Sequence, residues 1–143
     1  MGTLDKIKDW KEDDCQVKSN WSQQPGLTGS GKNCVSSFGV YDMIGNVWEW
    51  VDNTITNGVY KGRKLPQAGF IFGVDEEGVA IGTNPQTPDE NYNNDYFWIK
   101  TKGVRAFARG GYWDNGAEAG LYSVYLVSPP QAAEAGIGFR CVK

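Results

Sequence analysis

The sequence predicts a single α+β domain built mainly of short antiparallel strands, with few helices and long loops, and three observations carry that prediction. Its 143 residues suffice for one domain that buries roughly two thirds of its unfolded surface. The 19 glycines are close to twice the average share of about 7%, and aromatics reach 13%, which describes many turns joining compact apolar segments. The apolar residues fall in short runs rich in β-branched and aromatic side chains, whereas only Leu4, Ile7 and Trp10 repeat at helical spacing.

Leu4 to Trp10 therefore reads as a short amphipathic helix, and Cys15 to Ser37, rich in Ser, Gly, Asn and Gln, as loop. Phe38 to Val51 is dense in aromatics around two glycines, as expected of a turn feeding a buried strand. Phe70–Val74 and Val79–Ile81 flank Asp75-Glu-Glu-Gly78 and predict a β-hairpin. Gly82 to Asn94, polar and holding two prolines, reads as an exposed loop. Val104–Arg109, Tyr122–Val127 and Ile137–Val142 are three further strands, and no repeat or linker splits the chain.

Composition also excludes function classes. Net charge is −3 with no basic block, so no surface here would collect phosphate backbones, and nucleic acid is not an expected partner. Histidine is absent, which removes imidazole metal sites, Ser-His-Asp and Cys-His activation, and imidazole proton shuttling together. No apolar run approaches the roughly 20 residues of a membrane span, and Met1 to Asp14 is charged throughout without a signal-peptide core. The expectation is a protein that does not insert in membranes; residence in the cytoplasm, or display through a virion or cell-surface assembly, stays open. Cys15, Cys34 and Cys141 permit at most one intrachain bridge, with one thiol left over.

Strand alternation places Val47, Glu49 and Val51 on one face and Trp48 with Trp50 on the other, and both faces read as buried. A buried Glu49 carboxylate requires a cation, for which Arg109, Arg140 or a metal ion are the candidates. On the last strand Arg140 faces opposite to Ile137, Phe139 and Cys141, which read as core. Near Arg109, alternation sends Trp113 inward and Tyr112 with Asp114 outward. In the following strand Tyr122, Val124 and Leu126 form the apolar set, leaving Ser123, Tyr125 and Val127 outward. Exposed tyrosines beside short polar residues have the composition of binding surfaces.

Gly39-Val-Tyr-Asp-Met-Ile-Gly-Asn-Val-Trp-Glu-Trp50, then Arg109-Gly-Gly-Tyr-Trp113 and Gly138-Phe-Arg140, resemble the formylglycine-generating enzyme and sulfatase-modifying factor family. The resemblance covers mainly residues 38–53 and 104–143 and implies a C-type-lectin-like fold for one domain over 1–143. The enzymes of that family use a cysteine pair shortly after Arg-Gly-Gly-x-Trp, where this chain reads Asp114-Asn-Gly-Ala-Glu-Ala-Gly-Leu-Tyr-Ser123; iron-dependent relatives need a histidine cluster, which is also missing. The resemblance therefore points away from an enzyme, since a scaffold without its reacting groups does not carry the chemistry.

The segment 109–140 looks instead like the variable region of proteins diversified by retroelements, in which template adenines mutate. Asparagine codons altered at their adenines yield the residue types at Tyr112, Asp114, Tyr125, Val127, Ser128, Ala132 and Gly136, which the resemblance makes ligand-binding positions. Glu118 and Glu134 do not derive from such codons and rank lower. Trp113, Tyr122, Val124, Leu126, Ile137 and Phe139 would hold the backbone. The implied function is non-enzymatic recognition of a protein or glycan on a host or cell surface. The alternatives are an oxidase relocated to Cys34 or Cys141, or a carbohydrate-binding module that is not diversified. No cofactor is required, but the resemblance would let Asp42 and Glu49 carboxylates with the Gly45 and Val47 carbonyls hold calcium, an ion suited to dense oxygen ligands. Arg140 or Arg109 could neutralise Glu49 equally well.

Overall fold

The computed structural model describes residues 15–17 and 25–141. Its strands are β1 (Trp48–Thr56), β2 (Val59–Tyr60), β3 (Arg63–Lys64), β4 (Gly69–Val74), β5 (Ala80–Asn84), β6 (Tyr96–Ile99), β7 (Val104–Arg109), β8 (Val124–Leu126) and β9 (Ile137–Gly138). They form one sheet in the order β3-β2-β1-β7-β8-β6-β4-β5, with β9 against β1, curled into a half-barrel. Most neighbours run antiparallel, but β1 pairs β9 and β6 pairs β8 in parallel.

The fold is therefore mainly β, and the α+β expectation is corrected. The only helical pieces among the described residues are two three-residue 3₁₀ turns, Glu90–Tyr92 and Gly116–Glu118. The helix expected over Leu4–Trp10 lies outside the described residues. The physical reason is in the punctuation: Asp42, Asn46, Asn57, Asn93, Asn94 and several glycines adopt positive φ, which breaks a helix but turns a strand. None of the apolar runs between them is long enough for a stable helix. Among the described residues no helix is long and apolar enough to cross a membrane.

Val104–Arg109 forms a strand over the bounds expected from its sequence, and the hairpin of β4 and β5 forms around Asp75–Gly78. The expected loop from Gly82 to Asn94 instead completes β5 and carries a 3₁₀ turn capped by Asp89. Two readings of faces are overturned. Val51 is 36% exposed, so the two faces of β1 are not both buried, and Phe139 is 76% exposed with Cys141 exposed beside it. Pairing of β9 stops at Gly138, so the alternation that would have turned Phe139 and Cys141 inward is not propagated.

One core, centred on Ile55, Ile71, Phe97, Phe107, Val124 and Leu126, lies inside the curl of the sheet. A smaller cluster of Cys15, Val17, Cys34, Ile44 and Ala119 packs separately, with Cys15 and Cys34 joined in a disulfide. The hairpin turn is held by Asp75, whose carboxylate accepts from the Glu77 N–H at 3.0 Å, the Val79 N–H at 2.9 Å and Arg63 Nη2 at 2.6 Å. Burial pushes the Asp75 carboxyl up, but the two N–H bonds and the Arg63 charge outweigh it and hold the group below the usual carboxylate range. Because the folded-state value is depressed, its stabilisation is present above the ordinary carboxylate range and lost as pH falls through the folded-state value. Asp75→Ala is expected to lower stability by about 1–2 kcal/mol at neutral pH and by less in acid, measured by urea denaturation at both pH values.

Candidate functional site

The turn before β1 is built from residues that tolerate a left-handed backbone: Asp42 (φ 56°), Gly45 (φ 78°) and Asn46 (φ 63°). At Gly45 a Cβ would stand 2.3 Å from the Gln16 carbonyl oxygen, so only glycine fits. Backbone bonds tie this turn to two distant segments. Asn46 N–H donates to Gln16 O at 2.7 Å, Gly45 N–H to Gly110 O at 3.1 Å, and Trp113 N–H to Asn46 O at 3.0 Å. The Gly-Asn and Arg-Gly-Gly motifs are thus one structural unit that sets where Trp48, Glu49, Tyr112 and Trp113 start.

On one side of this unit, Glu49 meets Arg140. Arg140 Nε lies 2.8 and 2.7 Å from the two Glu49 oxygens, and Nη2 also bonds Glu49. The same guanidinium donates to the Tyr41 carbonyl at 3.0 Å and the Asp42 carbonyl at 3.3 Å. The hydrogen bond to Glu49 raises the Arg140 pKa against the opposing effect of burial. Arg109, although directly opposite Glu49 in the sheet, turns away and donates to the Gly78 and Glu77 carbonyls, each at 3.1 Å. Arg140 is therefore the cation that the Glu49 carboxylate requires.

The four positions named for calcium were Asp42, Gly45, Val47 and Glu49. Glu49 is committed to the guanidinium, and Asp42 Oδ2 accepts the Gly29 N–H at 2.7 Å. Asp42 Oδ1 and Asn46 Oδ1 are buried without a hydrogen-bond partner. With the Gly45 and Val47 carbonyls these make four oxygens, short of the six to eight that calcium takes, and a guanidinium already holds the Glu49 carboxylate, so the donor set as arranged does not fit the ion. Arg140→Ala is expected to lower stability by about 2 kcal/mol, below the range for fully buried pairs because both side chains keep some solvent contact. Arg140→Lys keeps the charge without the planar fork and should recover part of the loss, as thermal denaturation of the two variants would show.

On the other side lies an aromatic cleft of ≈ 510 Å³. Its floor comes from three strands. The parallel register of β6 and β8 sets Trp98 beside Tyr125, and Tyr125 faces the small Ala108 of β7. Trp48 packs on both rings, edge-on to Trp98 at 5.2 Å and tilted to Tyr125 at 5.4 Å. The wall comes from the loop after β7, where Gly110 and Gly111 at positive φ bring round Tyr112 and Trp113, their rings edge-on at 5.4 Å. Gly136 lies under the Tyr112 ring, which a Cβ there would approach to 3.2 Å. Glu134 lines the rim and accepts the Ser128 hydroxyl at 2.7 Å. Burial raises the Tyr112 phenol pKa, helped by the charges of Asp114 and Tyr125.

Of the seven residues expected to face a ligand, Tyr112, Tyr125 and Gly136 come together in this cleft. Asp114 is exposed and close enough to Tyr112 to act on its phenol, while Val127 and Ala132 are half-buried; none of these three lines the cleft. Ser128 is buried and serves from behind, bonding Glu134 and lying 3.3 Å from the Tyr125 hydroxyl. Ser123, expected outward, is fully buried and donates to the Glu118 carbonyl at 2.5 Å. Sequence reasoning missed Trp98, Trp113 and Glu134 as lining residues. Trp98 was hidden because no element was assigned to Tyr96–Ile99, and Trp113 because a tryptophan was assigned to the core. Glu134 was ranked down on codon grounds, which do not bear on position.

Cys34 is in the disulfide with Cys15, while Cys141 is free and exposed. No cysteine lines the cleft among the described residues. No curated protein matches the chain. The model of the sulfatase-modifying factor enzyme 1-like domain matches residues 4–143, and the curled sheet agrees with the C-type-lectin-like fold implied by the motifs. The chain belongs to the sulfatase-modifying factor enzyme 1-like family, also called the FGE-sulfatase domain.

Proposed function

We propose that the chain is a non-enzymatic recognition module that binds a macromolecular ligand, a protein or a glycan, in its aromatic cleft, and that the segment 109–140 is diversified by a retroelement. The observation that carries the reading is the meeting of Tyr112, Tyr125 and Gly136, distant in sequence, on one cleft floored by Trp48 and Trp98. Aromatic rings held by packing offer contact area at small entropy cost. The strand beneath Tyr125 is anchored by its neighbours, because Val124 and Leu126 are buried on either side of it. Exposed positions such as Asp114 should exchange at within about 0.5 kcal/mol of stability. The family's cysteine pair after the Arg-Gly-Gly motif is missing, and the cleft offers no thiol in its place, which supports a binding role over oxidation.

Two measurements test the reading. A near-copy of codons 109–140 differing at adenines, beside a reverse-transcriptase gene, is expected in the source genome; a genome without one removes the diversification part. Ligands selected from a random-peptide library and a glycan array should bind a Tyr112→Ala, Tyr125→Ala double variant at least about tenfold more weakly, as loss of central aromatic anchors does. Equal binding by a double variant with unchanged circular dichroism would remove the cleft from recognition.

A further inference from the structure

The charge of the cleft narrows the ligand. Among the described residues five rings line it, those of Trp48, Trp98, Tyr112, Trp113 and Tyr125, and Glu134 is the one lining side chain charged at neutral pH. One Glu134 oxygen takes the Ser128 hydroxyl, which orients the carboxylate without neutralising it. Among the described residues no lysine or arginine lines the cleft: Arg140 is held at Glu49 and Arg109 at the hairpin turn. The rings are not a flat stack, since Trp48 meets Trp98 at 79° and Tyr112 meets Trp113 at 69°. Ring faces carry negative potential, and faces turned to a common space attract a cation.

Resting on the recognition role proposed above, we infer that the cleft takes the cationic side chain of a protein ligand, a lysine ammonium or an arginine guanidinium, between the aromatic rings and against Glu134. An anionic ligand finds no counter-charge there among the described residues. A purely apolar side chain would cover the carboxylate without supplying it a partner, which is unfavourable. A cationic side chain meets both requirements, since its methylene stem packs on the tryptophans while its head meets the ring faces and the carboxylate.

The experiment follows the indole N–H signals of Trp48, Trp98 and Trp113 by NMR while the full chain is titrated with Nα-acetyl-lysine amide, Nα-acetyl-arginine amide and the neutral isostere Nα-acetyl-norleucine amide. The two cationic probes are expected to shift these three signals at roughly millimolar concentration and the neutral one to leave them unmoved. Glu134→Gln, at an exposed position, should weaken cationic binding about threefold, and Tyr125→Leu about tenfold. Equal shifts from norleucine amide, no shift from any probe, or an unchanged Glu134→Gln titration overturns the inference. Peptides or glycans selected as above that require Tyr112 and Tyr125 but present no basic group would leave the recognition role standing and remove the cation. Ligands indifferent to the double variant would remove both.

Discussion

Gly111→Ala is expected to lower the stability of the domain by about 3 kcal/mol. Two effects add. Gly111 sits at φ 88°, a conformation that disfavours an L side chain by roughly 1–2 kcal/mol. A Cβ there would also stand 2.3 Å from the Ala119 Cβ and 2.9 Å from its Cα, and Ala119 is fully buried. That overlap has no flexible side chain to yield, so the backbone must move, at roughly 1–3 kcal/mol. Gly116→Ala is the control, because Gly116 has φ 60° with nothing within 4 Å of its would-be Cβ. It should show the conformational part alone, about 1 kcal/mol. Urea denaturation of both variants separates the two effects, and equal losses would show that the Ala119 contact contributes nothing.

Removal of the Cys15–Cys34 disulfide is expected to lower stability by about 3 kcal/mol, from the entropy of a closed loop with a sequence separation of 19. Both sulfurs are buried in the small cluster with Val17, Ile44 and Ala119, so a Cys15→Ala, Cys34→Ala variant also loses packing there. The effect should reach the cleft, since the neighbouring Gln16 carbonyl holds the Asn46 N–H of the turn that precedes Trp48. Guanidinium denaturation with and without reductant checks this. The wild-type midpoint should fall on reduction and that of the double variant should not move. The native oxidised chain should release a single reactive thiol, that of the exposed Cys141. Three reactive thiols without denaturant would contradict the pairing.

What the sequence disclosed and what it withheld divide along the range of the interactions involved. The strand at Val104–Arg109 and the hairpin around Asp75 were legible because alternation and turn chemistry are local properties. So was the need of Glu49 for a cation, although the choice between Arg109 and Arg140 was not. Arg109 is the strand neighbour of Glu49, and only the return of β9 alongside β1 brings Arg140 into reach. The strand β6 was missed because Tyr96–Ile99 follows a run of asparagines and finds its stabilisation in partners far along the chain, β4 and β8. With it went Trp98, one of the three rings of the cleft floor. The expected helix biased the fold class toward α+β, whereas the described residues build their turns from left-handed asparagines and glycines. The inward reading of Phe139 failed because alternation holds only while a strand stays paired. Tyr112 and Tyr125, both expected outward, line one cleft, while Ser128, expected with them, lies behind it.

The span between Leu126 and Ile137 has both footings in the sheet, one where β8 lies between β6 and β7 and the other where β9 lies on β1. It behaves like an arch on fixed abutments: what it carries stays in place while the abutments hold their separation. Ala132 and Glu134 hang between the footings, whereas Gly136 is part of one, its carbonyl accepting the Trp48 N–H at 2.8 Å. A change at Val124 or Leu126 would instead undermine an abutment.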